Sequence, residues 1–124
     1  MRDDALILLG AWAVGAGDRT QEMTVQYAKE RKAFGQPIGS FQNTQFLLAD
    51  LVTRVEVTQA YVDQCVVAHT KSELTPVDAA KAKWWTSQVQ NDVLDHCVQI
   101  HGGYGYMNEY RVARAWRVAR VTKI

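Results

Sequence analysis

Cysteine, histidine and proline are scarce in this chain of 124 residues, which contains two, three and two of them respectively. Cys65 and Cys97 lie far apart and outside any C-x-x-C spacing, so the sequence predicts buried thiols and not a disulfide. The histidines are scattered, and a zinc cluster therefore has little support. No metal site is expected.

Charge of one sign and long apolar runs are also missing. Lys and Arg number 14 against 13 Asp and Glu, which gives no electrostatic reason to expect nucleic acid or an anionic membrane as a partner. The apolar run from Ala5 to Leu9 is too short to span a bilayer and lacks the flanks of a signal peptide. We expect a soluble, intracellular protein, cytoplasmic or in the mitochondrial matrix if its source is eukaryotic.

Helical periodicity dominates what is present, and no stretch alternates apolar and polar residues long enough to indicate a sheet. The sequence predicts an all-α fold, an up-and-down antiparallel four-helix bundle that forms one domain over residues 1–124. The four predicted segments run over about 4–32, 43–72 and 75–100, with the last one opening at Asn108 and Glu109.

Two helices show the clearest patterns. The second carries one stripe at spacings of three and four, made of Leu47, Leu51, Val55, Thr58, Val62, Cys65 and His69. The third begins with an N-cap signal, Thr75-Pro76, and its apolar residues cover more than one face. We therefore expect the third helix to be central and to bury Trp84 and Trp85.

Two features of the chain carry functional signals that remain open on spacing alone. A Gly102-Gly103 pair stops the third helix, which is typical of a plain helix C-cap but also lets a backbone approach a phosphorylated ligand closely. Arginines recur at every third position of the fourth segment, at Arg111, Arg114, Arg117 and Arg120. A solvated face that pairs with acids on neighbouring helices is the simpler interpretation, and phosphate binding is the alternative.

Three sequence blocks, taken together, resemble the C-terminal helical domain of the acyl-CoA dehydrogenase family of flavoenzymes. They are YAKERKAFGQPIGSFQ at 27–42, CVQIHGGYGY at 97–106 and the following NEYRVARAWRVARV. The stretch KWWTSQVQNDVLDHCVQIHGG is most similar to the long-chain and short-branched-chain type. The resemblance implies a homotetramer or a dimer, with FAD between subunits. It also implies oxidation of an acyl-CoA thioester to the 2-enoyl-CoA and electron transfer to an electron-transfer flavoprotein.

The same resemblance implies a set of FAD-contacting residues. Arg31 would reach the pyrophosphate or adenine portion in the partner subunit, with Phe34 packed beside it, although an ordinary ion pair that anchors the loop is the alternative for Arg31. Gln42 matches a further cofactor contact. The segment that wraps the adenosine and pyrophosphate portion is matched by Gln99, His101, Gly102 and Gly103. For His101, a structural role at the helix end is the alternative.

The family's catalytic base has no credible match. Members commonly carry it in a Tyr-x-Gly-Thr turn that would fall just beyond Ile124, or early in the first helix, where Ala5 stands, with Leu6 in place of an arginine and Asp4 next door. We expect a domain truncated at both ends and inactive alone, without the N-terminal helical and middle β domains. The alternative is a stand-alone bundle for oligomerisation or partner binding, and acyl chain length stays open.

Overall fold

Four α-helices account for most of the chain in a computed structural model. It describes residues 3–124, without the side chains of residues 3–9 and of Trp12. The helices are α1 (Asp3–Glu30), α2 (Gln42–Thr70), α3 (Pro76–His101) and α4 (Arg111–Ala119). Helix α3 packs against each of the other three, which confirms both the all-α helical bundle and the central position of the third helix.

The contact between α1 and α3 is made by small side chains. Ala79 and Ala82 on α3 are almost completely buried, and a Cβ added to Gly10 of α1 would lie 3.3 Å from the Thr86 hydroxyl. Small residues on facing helices let the two backbones approach closely. This explains why α1 carries a glycine at position 10, although glycine lowers helix propensity; at Gly15 and Gly17 an added Cβ would meet no described atom within 4 Å.

The expected burial of the two tryptophans is wrong. Trp84 is 63% exposed and Trp85 is 37% exposed, because the small residues of α3 and not its large ones face α1. The indole N–H of Trp85 donates to the Thr58 hydroxyl of α2 at 3.1 Å. Trp85 therefore lies along the α2–α3 boundary, and Trp84 remains on the surface beside it, with 5.7 Å between ring centroids.

The apolar stripe of α2 is confirmed along most of its length. Its middle residues are buried in the core, as listed here: Leu51, Val55, Thr58, Val62 and Cys65. Leu47 is half-buried and packs against that core, whereas His69 is exposed near the end of the helix. The start of α3 is as predicted, since the Asp78 backbone N–H donates to the Thr75 hydroxyl at 3.1 Å and Pro76 takes the first helical position.

A small hairpin between α1 and α2 is the one departure from an all-helical chain in the described residues. Strand β1 (Lys32–Ala33) pairs antiparallel with strand β2 (Gln36–Pro37), followed by a 3₁₀ turn at Ile38–Ser40. Both central residues of the turn have positive φ, +55° at Phe34 and +80° at Gly35, as tight two-residue hairpins require. The sequence predicted a shaped loop here, but two-residue strands are too short to show alternation.

Helix α4 begins later than predicted, at Arg111 and not at Asn108 or Glu109. Tyr110 is the N-cap residue and makes no side-chain cap hydrogen bond, and the Asn108 side-chain oxygen accepts a hydrogen bond from Arg117 at 2.8 Å. Val112, Ala113 and Ala119 are buried, whereas Trp116, expected on the apolar side, is 46% exposed.

The predicted pairing of the α4 arginines with acids is not seen. All four arginines are exposed, and no carboxylate among the described side chains lies within 4.0 Å of them. In the described part of the chain, no helix is long and apolar enough to cross a membrane, and no three potential ligands gather around a metal position.

Candidate functional site

An open cleft of about 410 Å³ lies where α3 ends, between the last turn of α1 and the glycine-rich turn after α3. Its lining combines aromatic, apolar and glycine residues with one arginine: Tyr27, Arg31, Ile38, Ile100, His101, Gly102, Gly103, Tyr104 and Met107. Four residues that the sequence predicted as cofactor contacts therefore meet in one place. They come from the ends of two helices that are distant in sequence, with Arg31 directly after α1 and the other three at and just after the end of α3.

Stacked aromatic rings form the floor of this end of the bundle. Tyr27 stacks on His101 with ring centroids 4.2 Å apart, and Tyr104 stacks on Tyr110 at 4.9 Å. The Tyr27 hydroxyl donates to the His101 backbone carbonyl at 3.3 Å. Burial raises the pKa of Tyr27, opposed by the Arg31 charge, so this phenol stays protonated and able to donate at neutral pH. The rings tie α1 to the turn that follows α3.

His101 is buried, and its contacts give it a structural part in this helix end. Its Nδ1 lies 2.8 Å from the carbonyl oxygen of Cys97, and a carbonyl only accepts, so Nδ1 carries the proton. The ring is also held by Tyr27 on its face and by Tyr110 edge-on at 6.5 Å. A direct cofactor contact of His101 stays a prediction.

Arg31 follows α1 directly and stands at the mouth of the cleft. Its guanidinium lies 5.2 Å from the centroid of the Tyr104 ring, which is a cation–π contact. No described carboxylate lies within 4.0 Å of it, so the alternative of a loop-anchoring ion pair has no support in the described residues. The positive charge is exposed and positioned without being neutralised.

The two glycines of the turn play different parts. Gly102 ends α3 with φ +62° and ψ −136°, a conformation that side chains with a Cβ rarely adopt. Gly103 does not have a positive φ. At both positions an added Cβ would meet no atom within 4 Å, so the backbone lies open to anything that enters the cleft.

A second, neighbouring cleft of about 310 Å³ contains Gln99. Gln99 is exposed, and it lines this cleft together with Asp95, Tyr106, Trp116 and the shared residue Gly102. Gln99 therefore does not share the Arg31 cleft directly. The two clefts meet at the glycine turn.

Phe34 and Gln42 line neither cleft. Phe34 lies at the tip of the hairpin and is 96% exposed. Its ring meets the Phe41 ring edge-on, with centroids 6.4 Å apart. Gln42 is the exposed first residue of α2. Both positions lie in the segment that leads from Arg31 into α2.

Comparison with known proteins decides the family. The sequence model of the family described as the acyl-CoA dehydrogenase C-terminal domain matches residues 6–124 of this chain. The chain belongs to the acyl-CoA dehydrogenase family. This confirms the resemblance drawn from the three sequence blocks.

Individual relatives cover nearly the whole of this acyl-CoA dehydrogenase domain. The mitochondrial long-chain specific acyl-CoA dehydrogenase of Sus scrofa is 45% identical over 118 residues, 95% of this chain and 27% of that protein. The solved structure of butyryl-CoA dehydrogenase from Megasphaera elsdenii is 38% identical with a TM-score of 0.95, over 98% of this chain and 32% of that one. An acyl-CoA dehydrogenase complexed with FAD from Bacillus anthracis is 28% identical, with a TM-score of 0.91, over 98% of this chain and 24% of that one. The chain thus spans about a quarter to a third of these relatives.

Sequence reasoning missed several residues that shape this part of the acyl-CoA dehydrogenase domain. The stacked tyrosines Tyr27, Tyr104 and Tyr110 support the cleft, and Gly105 is buried where an added Cβ would lie 2.4 Å from the Val98 carbonyl oxygen. The clustering of tyrosine and glycine in 102–110 was a usable signal for Tyr104, Gly105 and Tyr110, but not for Tyr27. Asp4, Ala5 and Leu6, considered for the base and the substrate contact, have side chains outside the described residues.

Proposed function

We propose that this chain is the C-terminal domain of a flavin-dependent acyl-CoA dehydrogenase and that it contributes FAD contacts across a subunit interface. In the whole enzyme, an acyl-CoA thioester would be oxidised to the 2-enoyl-CoA. When bound, FAD supplies the acceptor for the hydride that leaves the β-carbon. The observation that carries the proposal is an uncompensated arginine held beside two open glycines.

The cleft fits the charged portion of FAD. A pyrophosphate needs positive charge and hydrogen-bond donors, which the exposed guanidinium of Arg31 offers. Gly102 and Gly103 line the same cleft. At either residue no atom lies within 4 Å of the position that a Cβ would take, so a ligand can approach their backbone. Gln99, which carries both a donor and an acceptor, stands in the adjoining cleft and suits a hydroxyl-bearing ribose or a base edge.

Phe34 supports a contact with a second chain. The hairpin turn accounts for its positive φ but not for the exposure of its ring. The Phe34 ring is 96% exposed, so nearly all of its apolar surface is free to be covered by another molecule. An FAD or a protein surface placed across the hairpin would cover the ring, with Gln42 and Arg31 as neighbours in the same segment.

We further propose a homo-oligomer, a dimer or a tetramer, with acyl-CoA and an electron-transfer flavoprotein as partners of the whole enzyme. The exposed pair Trp84 and Trp85 on α3 supports association, because tryptophan is enriched at protein interfaces. The proposed location is the cytoplasm, or the mitochondrial matrix in a eukaryote.

A domain exchange tests the proposal. This chain replaces the matching segment of the Sus scrofa long-chain enzyme, and the purified chimera is examined for flavin absorbance and, by light scattering, for assembly. We expect a yellow oligomer. Arg31→Ala should weaken FAD retention by one to two decades, as expected for the loss of a charged hydrogen-bonding partner that contributes about 1.5–3 kcal/mol.

Lys29→Ala is the matched control, since Lys29 is an exposed cation in the last turn of α1 that does not line the cleft. A chimera that assembles but stays colourless would contradict the FAD role and favour the alternative of a non-catalytic oligomerisation module. Equal FAD retention in Arg31→Ala and Lys29→Ala would remove Arg31 from the site.

A further inference from the structure

A third cleft, of about 430 Å³, lies between α1 and α4, away from the glycine turn. Three arginines line it, Arg19 from α1 and Arg111 and Arg114 from α4. Met23 and Val118, which is 54% exposed, add apolar lining that we call the apolar floor. None of these residues has a part in the FAD contacts proposed above.

The three guanidinium groups of this cleft have no partner in the described part of the chain. No described carboxylate lies within 4.0 Å of any of them, and none donates a hydrogen bond to a described group. Two arginines elsewhere are partnered, since Arg54 pairs with Asp50 at 3.1 Å and Arg117 donates to Asn108, whereas Arg31 and Arg120 have no described carboxylate within 4.0 Å. Like charges that line one cleft repel each other, so a group that carries carboxylates would be attracted there.

The spacing of the arginines on α4 matches the spacing of side chains along one face of a second helix. Arg111 and Arg114 are three residues apart on α4, a rise of about 4.5 Å, which is also the spacing of acidic side chains three apart on a facing helix. The apolar floor at Met23 and Val118 would be left in water by a simple inorganic anion. An amphipathic helix would cover it with an apolar ridge and place its acids on the rim.

We propose that the α1–α4 cleft docks an acidic amphipathic helix of a polypeptide partner. The apolar side of that helix lies on Met23 and Val118, and its carboxylates pair with Arg19, Arg111 and Arg114. Affinity comes from the apolar contact, and the arginines select acidic partners and set the register.

Stapled helical peptides test the proposal by fluorescence anisotropy on the 124-residue chain. One peptide carries Glu three and four residues apart beside a Leu ridge, and matched versions carry Gln or Lys at the Glu positions. We expect the Glu peptide to bind about tenfold tighter than the Gln peptide, with an advantage that falls as salt rises.

Reversing the charge of the cleft should reverse the preference. In the double variant Arg111→Glu, Arg114→Glu, the Glu peptide should lose at least about tenfold in affinity while the Lys peptide gains. A merely unfolded variant would bind neither, so the gain is the decisive result. Arg120→Glu, Lys123→Glu is the matched control, since it makes the same charge change at exposed positions outside the cleft.

Three results would overturn the proposal. They are equal binding of the Glu and Gln peptides, an equal loss in the control variant, and no gain of the Lys peptide in a folded double variant. Inorganic pyrophosphate is the competitor that separates the sources of negative charge. If it binds the cleft more tightly than the Glu peptide does, the cleft is a phosphate site and not a docking surface for a helix.

Discussion

Gly105 offers the sharpest test of how the turn after α3 is built. Its Cα lies so close to α3 that an added Cβ would stand 2.4 Å from the Val98 carbonyl oxygen and 3.1 Å from a Val98 side-chain methyl. The first contact is far inside van der Waals distance and involves backbone, so the turn must move. Forced overpacking of this kind costs about 1–3 kcal/mol, and we expect Gly105→Ala to lose that much stability.

The two neighbouring glycines should respond differently, which makes the series its own control. In Gly102→Ala the new Cβ meets no atom, but the alanine must adopt φ +62°. Backbone strain of that kind costs about 1–3 kcal/mol. Gly103→Ala meets no atom and has no positive φ. Because alanine lowers the entropy of the unfolded chain, Gly103→Ala should be neutral or more stable by about 0.4–1 kcal/mol.

Urea unfolding followed by helical circular dichroism measures all three variants, with the m-value as a check on two-state behaviour. A neutral Gly105→Ala would refute the close approach to Val98. A Gly103→Ala variant as damaged as Gly105→Ala would show that the turn is packed from the side that we describe as open. In the FAD-binding chimera, Gly103→Ala becomes informative about function, since any loss of flavin there would occur in a fold that is intact.

Three further predictions concern the bundle itself. Leu51→Ala should lower the free energy of unfolding, measured in urea, by about 2–5 kcal/mol because Leu51 is fully buried. Trp84→Ala should lower it by less than about 1 kcal/mol because Trp84 is mostly exposed. Equal losses in the two variants would refute this assignment of faces. Thr75→Ala should cost about 1 kcal/mol through loss of the N-cap, and Thr75→Ser should recover most of it. Burial raises the pKa of Cys97 to about 11, so the unfolded thiol ionises first as pH rises. Stability should therefore be constant below about pH 8 and fall between about pH 9 and 11, by at most about 1.4 kcal/mol per pH unit, and Cys97→Ala should flatten that slope.

The four helices could be predicted because their signals are local. A threonine cap followed by proline defines the start of α3, and regular spacing defines the buried stripe of α2. Burial of the tryptophans on α3 depends instead on which face meets α1, and this was decided by alanines and Thr86 that carry weak hydrophobic signals. Periodicity shows that a helix has apolar residues, but it does not show which neighbour comes closest.

The role of the candidate site residues in binding FAD stays a prediction, and the structure shows only which of them lie together. Arg31, His101, Gly102 and Gly103 do meet in one cleft, although they belong to two separate blocks of sequence. Gln99 falls in the adjoining cleft because it points to the other side of the same helix end. Spacing within one helix cannot show that division, since it depends on where the chain turns after Gly102.

If FAD binds as proposed, its pyrophosphate meets an opposing field at this end of the bundle, and the residues beneath Arg31 bear on how that field is offset. The carbonyl end of α3 carries partial negative charge, which disfavours a phosphate placed near Gly102. Arg31 offsets this charge, and its contact with Tyr104 restricts the long side chain without neutralising it. Because Tyr104 is itself stacked on Tyr110, this contact favours one position of the guanidinium by about 0.5–1 kcal/mol, which lowers slightly the entropy lost on binding. The tyrosines therefore belong to the proposed site through their effect on Arg31, even though none of them needs to touch FAD.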